Sequence, residues 1–150
     1  MEATKEKIAH VNALRDKAEQ LKLLGYEGLV WSMSAVTLAE IYNGAGADWM
    51  PSAMRSRLTK LLALFEPAFL VHDRDFWGSD GTREGFDEAN DRLEFNCLKI
   101  ANAAYPLAEQ PLRRIRAREA ALAIGEACRL GAWKAWQDAA VRGLKERETK

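Results

Sequence analysis

The stretch FEPAFLVHDRDF, residues 65–76, decides the fold, because it joins a run of large apolar residues to a titratable pair. Proline is tolerated in the first turn of an α-helix, so Pro67 predicts that a helix begins there. On that helix His72 and Phe76 are four residues apart and share a face, while Asp73 points in a different direction. We expect the apolar residues to hold this helix against the core and to fix the histidine and the aspartate in place.

The segments on both sides of this helix also have helical patterns. Apolar residues recur at spacings of three and four in residues 4–24, and Gly25 ends the pattern. No segment alternates with a period of two. The predicted fold class is therefore all-α, a single-domain helical bundle over 1–150, with an N-terminal amphipathic helix (1–25), a core (34–104) and a C-terminal helical pair (111–146). The further helices are predicted over residues 34–42, 53–64, 86–104, 111–130 and 132–146.

Composition excludes several classes of function. The 22 basic residues balance 22 acidic residues, so the chain has no bulk charge to attract nucleic acid or lipid. Cys97 and Cys128 are far apart and lack CxxC spacing, which argues against a disulfide framework or a zinc site and favours a reducing compartment. The N-terminus is polar and no apolar run reaches transmembrane length, so we expect no targeting or transmembrane segment.

His72 and Asp73 are the residue types that a hydrolytic site needs. Imidazole titrates near neutrality and can take a proton from water, while the adjacent carboxylate can hold a cation. Calcium requires six to eight oxygen ligands, and a loop containing Gly44 and Gly46 can turn several carbonyls to one point. An acid that orients the imidazole could come from the helix over residues 86–104.

The order of these residues, NG-x-G…P…HD-x-x-[aromatic]…D-R…N…L, resembles the phospholipase A2-like proteins encoded by bacteriophages and prophages. The resemblance covers about residues 37–100. It implies calcium-dependent hydrolysis of a phospholipid or another ester, in the cytoplasm of a bacterial host or in a phage particle. His72 matches the general base that activates water, Asp73 the calcium-binding carboxylate, and Gly44 and Gly46 the loop that completes the metal site. Asp91 matches the aspartate that orients the histidine.

Two residues depart from the family pattern. Phe76 replaces the tyrosine that would hydrogen-bond the orienting aspartate, and Asn90 occupies a position where a small residue is usual. Asn90 and Asp87 therefore remain alternatives to Asp91 as the residue that orients His72. The alternative function is a catalytically silent virion or phage accessory protein that acts through contacts with phage proteins or with itself. A third is a peripheral-membrane or anti-host binding module.

Other charged and aromatic residues have structural interpretations. The basic run from Arg113 to Arg118 wraps most of a helix near Glu109 and Glu119, which is typical of a solvated face and is no strong nucleic-acid signal. The remaining expectations concern single residues: acids that face solvent or cap helices (Asp75, Asp80, Asp87), a structural or exposed His10, core tryptophans (Trp31, Trp133, Trp136) and exposed tryptophans beside the site (Trp49, Trp77).

Overall fold

Seven α-helices make up the secondary structure in the described part of the chain, which in this computed structural model comprises residues 3–43 and 52–149. The predicted loop with Gly44 and Gly46, and Trp49, lie outside the described residues. The all-α class is confirmed, since no strand occurs within the described ranges. The helices are α1 (Lys5–Gln20), α2 (Tyr26–Trp31), α3 (Ala35–Ile41), α4 (Ser52–Trp77), α5 (Arg83–Ala104), α6 (Pro111–Gly131) and α7 (Trp133–Glu148).

Helix α4 corrects the prediction of two helices on either side of Pro67. It runs unbroken through the proline for 26 residues. Proline removes the backbone donor that would bond the carbonyl four residues earlier, which belongs to Ala63. Ala63 is exposed, so water can satisfy that carbonyl. The helix therefore continues and carries Phe65 and Leu70 into the core in one rigid element.

Helix α1 ends earlier than its apolar pattern predicted. The Leu23 amide donates to Ala18 O and the Lys22 amide donates to Glu19 O, both at 3.0 Å, which is the bonding pattern of a Schellman motif. Lys22 occupies the left-handed position of that motif, with φ of 51°. Glycine usually fills this position, so the sequence does not mark the end of the helix.

Helix α5 is the central packing element of the described bundle, since it lies along both α4 and α6. A buried asparagine on it fixes the loop between α1 and α2: Asn96 Oδ1 accepts from Leu24 N at 2.8 Å, and Asn96 Nδ2 donates to Leu24 O at 3.0 Å. Near the start of α5 a second apolar cluster forms around Phe86 and Trp136. This aromatic cluster packs beside the end of α4 that carries His72 and Phe76.

Both cysteines, Cys97 and Cys128, are buried and free. None of the described helices is long and apolar enough to cross a membrane.

Candidate functional site

A groove of about 600 Å³ lies between the end of α3, the C-terminal part of α4 and α7. Among the described residues that line it are the carboxylates of Glu40, Asp73 and Glu146 and the guanidinium of Arg142. Its remaining wall includes His72 and two aromatic residues, Phe76 and Trp77. The two members of the predicted His–Asp pair therefore face the same groove.

His72 forms a hydrogen bond with a residue of α5. Its side chain is buried, and Nε2 lies 3.1 Å from Asn90 Oδ1. The Asn90 amide nitrogen donates to Phe86 O at 2.9 Å, so the amide oxygen is the atom that faces the imidazole. Nε2 must then carry the hydrogen and donate it, which leaves Nδ1 as the proton-accepting nitrogen.

Burial keeps the imidazole of His72 neutral. It lowers the pKa of His72 from 6.5 to about 4, and the hydrogen bond that His72 donates to Asn90 opposes this effect only in part. The ring of Phe76, with its centroid 4.5 Å from that of His72, covers one side of the imidazole. A histidine in this state is ready to accept a proton at neutral pH but is a weak base.

The structure corrects the expected contact between His72 and Asp91. Asp91 binds Arg129 instead, at 2.6 Å, and its side chain is 71% exposed. Asp87 is half-exposed and pairs with Arg83 at 3.1 Å. Asn90, the third residue left open by the sequence, shares a face with the buried Phe86 because the two lie four residues apart, and Asp91 falls off that face.

Asp73 lies where the predicted loop begins. Its Oδ2 accepts a hydrogen bond of 2.8 Å from the Asn43 amide, and Asn43 is the last described residue before Gly44. Asp73 and Glu40 both line the groove, and carboxylate oxygens are ligands that calcium prefers. Within residues 3–43 and 52–149 no cluster of three histidine, cysteine or acidic side chains could hold a metal ion, so a calcium shell here would need backbone carbonyls as well.

A polar cluster that the sequence does not predict supports this end of the groove. His10 Nε2 lies 2.6 Å from Glu66 Oε2, which joins α1 to α4. Tyr42, directly before Asn43, is buried beside them, and its pKa is raised by burial and by the carboxylates of Glu66 and Asp73. His10 and Glu66 are 56 residues apart, so only the tertiary fold brings them together.

Asp75 corrects a second expectation, since it is buried and does not face solvent. It pairs with Arg92 at 2.7 Å and with Arg74 at 3.5 Å. Burial raises the pKa of its carboxyl group, and the two guanidinium groups act in the opposite direction. Asp80 faces solvent, as predicted, and accepts from the Thr82 amide at 2.8 Å, while Thr82 itself is the N-cap of α5.

Trp77, Trp133 and Trp136 lie where the sequence predicts, while the side chain of Trp31 lies outside the described residues. Trp136 is buried and its indole donates to Thr82 O at 2.9 Å, while Trp133 packs against the same aromatic cluster. Trp77 is 52% exposed at the rim of the groove. An exposed indole beside the candidate site offers a flat apolar contact for a ligand.

No protein-family model, curated protein or solved structure matches this chain.

Proposed function

We propose that the protein is a phospholipase A2-like, calcium-dependent ester hydrolase of the phage or prophage type, and that the groove beside α4 is its active site. One observation carries this proposal. His72 and Asp73 line a single groove, and Asp73 is bonded to the residue from which the Gly44–Gly46 segment continues.

The tautomer of His72 supports the role of general base. Asn90 accepts the Nε2 hydrogen, so Nδ1 keeps its lone pair for the proton of a water molecule. The low pKa of His72, about 4, keeps that lone pair unprotonated at neutral pH. The same low pKa makes the imidazole a weak proton acceptor, and we expect a modest rate of hydrolysis.

The carboxylates support a cation-assisted reaction. Asp73, with Glu40 in the same groove, would supply oxygen ligands, and carbonyls of the Gly44–Gly46 segment would complete the shell. A calcium ion, when bound there, would polarise the ester carbonyl and stabilise the negative charge that develops on its oxygen.

Hydrolysis of mixed phospholipid vesicles, followed as fatty acid release with and without calcium, tests the proposal. His72→Gln removes the base while keeping a group that can donate to Asn90, so we expect its rate to fall by about 100-fold or more. Asp138→Asn is the control, because its exposed carboxylate pairs with Lys134 outside the groove lining, and it should keep the parent rate. Equal rates for the parent and His72→Gln would remove His72 from the reaction.

A second candidate function is a phage or virion accessory protein without turnover. The exposed apolar side chains of α6 favour it, because exposed patches of this kind mark surfaces of interaction. Absence of calcium-dependent hydrolysis, together with co-purification with particle components, would select this alternative.

A further inference from the structure

Helix α6 carries a line of large apolar side chains that faces solvent. Leu112, Ile115, Leu122 and Leu130 are 70%, 50%, 48% and 81% exposed. Glu119 and Glu126 lie between them, and with these two included the residues follow one another at intervals of three or four. The side chains therefore share one face of the helix. We call this line the α6 stripe, and it consists of Leu112, Ile115, Glu119, Leu122, Glu126 and Leu130.

The opposite face of α6 is already used. Ala117, Ala121, Ile124 and Cys128 are buried against the core. The stripe therefore has no partner in the described part of this chain, and from Leu112 to Leu130 it extends for about 27 Å.

The charges along the stripe divide it into two unlike ends. Arg116 lies four residues after Leu112 and makes the N-terminal end basic, whereas Glu119 and Glu126 make the middle and the C-terminal end acidic. The nearby Arg129 is engaged by Asp91 and Glu94, so it does not neutralise them. An anionic membrane or a nucleic acid would match only the basic end and would be repelled by the rest.

We infer that the partner of the α6 stripe is a second copy of this chain, docked antiparallel. Leu112 and Leu130 lie at equal distances, nine positions, on either side of residue 121. Arg116 and Glu126 lie five positions on either side of it. An antiparallel pair centred there places leucine against leucine at both ends and arginine against glutamate inside them.

The centre of the same arrangement is apolar. Leu122 is one position from residue 121, so the Leu122 side chains of the two copies meet across the two-fold axis. Each contact occurs twice, as a self-complementary interface requires. A single helix pair gives a small interface, so we expect a dissociation constant on the order of 10 to 100 µM.

Sedimentation equilibrium of the full chain tests the pairing through two charge reversals. Arg116→Glu and Glu126→Arg each place like charges together, and each should raise the dissociation constant by about tenfold or more. Combined in one chain, the two changes restore opposite charges and should restore the dimer. A mixture of the two single variants should also form a heterodimer, since each pair then joins opposite charges.

The control is Arg147→Glu, which makes the same charge change at an exposed site on α7 and should leave the dimer intact. A chain that stays monomeric up to millimolar concentration would overturn the inference. So would a dimer that is indifferent to both reversals. Binding of the monomer to vesicles of anionic lipid, lost in Arg116→Glu, would assign the α6 stripe to a membrane surface and also overturn it.

Discussion

The imidazole of His72 and the amide of Asn90 meet in the interior, with Nε2 and Oδ1 3.1 Å apart. Because Asn90 also donates to Phe86 O, one neutral amide fixes both the position of the imidazole and its tautomer. A carboxylate in the same place would fix the position as well, but it would also stabilise the charged imidazolium.

Replacing Asn90 by aspartate should therefore raise the pKa of His72. A carboxylate at hydrogen-bond distance favours the protonated imidazole, so we expect an increase of about 1 to 3 pH units. Asn90→Ala removes the hydrogen bond that now raises the pKa and should lower it instead. Titration of the two histidines by NMR measures both variants, with His10 as the internal reference. Shifts of the same sign in the two variants would contradict the assignment.

His72 should also make folding stability depend on pH. Its pKa is about 4 in the folded chain against 6.5 as the reference, so between these values the unfolded chain binds a proton that the folded chain does not. Stability is lost as the pH falls through this window, by about 3 kcal/mol in all. In His72→Gln the loss in free energy of unfolding between pH 7 and pH 4 should be smaller by roughly that amount. Urea unfolding at several pH values checks it, and parallel curves for parent and variant would refute the prediction.

Asn96 should be one of the most sensitive polar positions in the core. Its replacement by alanine leaves the amide and carbonyl of Leu24 unpaired in a part-buried position, so we expect a loss of about 2 to 4 kcal/mol. Asn102→Ala is the matched control, because within the described ranges Asn102 bonds a side chain, that of Arg118, and no backbone group, and it should cost about 1 kcal/mol. Urea unfolding measures both losses. Equal losses would show that the two hydrogen bonds between Asn96 and Leu24 contribute no more to stability than the side-chain bond of Asn102.

Glycine at position 22 should stabilise the chain. Lys22 has φ of 51°, a conformation that costs a side-chain-bearing residue energy and glycine little. We expect Lys22→Gly to add about 0.5 to 1 kcal/mol to the free energy of unfolding. Lys17→Gly, inside α1, should instead remove about 1 kcal/mol. The two melting temperatures should therefore move in opposite directions, and a fall in both would contradict the assignment of Lys22 to the Schellman position.

The sequence predicted the elements whose signals are local. Ser34 and the pattern after it gave the start of α3, where Ser34 Oγ accepts from the Thr37 amide at 3.1 Å. The prediction that a new helix begins at Pro67 was wrong. A proline affects the backbone of a single turn, and α4 continues through it because the residues around it are packed in the core. The end of α1 was predicted too late because the motif that ends it normally has glycine at the position that Lys22 occupies.

Spacing along one helix places His72 and Asp73 next to each other on α4 but leaves them pointing in different directions. The packing of α3 and α7 around the end of α4 makes both residues part of the groove lining. The choice among Asp87, Asn90 and Asp91 depends on how α5 is rotated against α4, which no single-helix pattern determines. The burial of Asp75 was not predicted either. Asp75 forms ion pairs with Arg74 and Arg92, and Arg92 lies on another helix, so only the tertiary fold brings this partner to it.

Calcium binding at Asp73 tests the central claim most directly, because this aspartate links the His72 helix to the segment that begins at Asn43. A ligand that binds only the folded chain raises its melting temperature, and calcium at ten times its dissociation constant should raise it by about 3 to 5 °C. Thermal unfolding of the parent, of Asp73→Asn and of the control Asp138→Asn, whose exposed carboxylate pairs with Lys134, makes the comparison. The account predicts an increase in the parent and in Asp138→Asn and none in Asp73→Asn. No increase in the parent with calcium or another divalent ion, or an equal increase in Asp73→Asn, would contradict it.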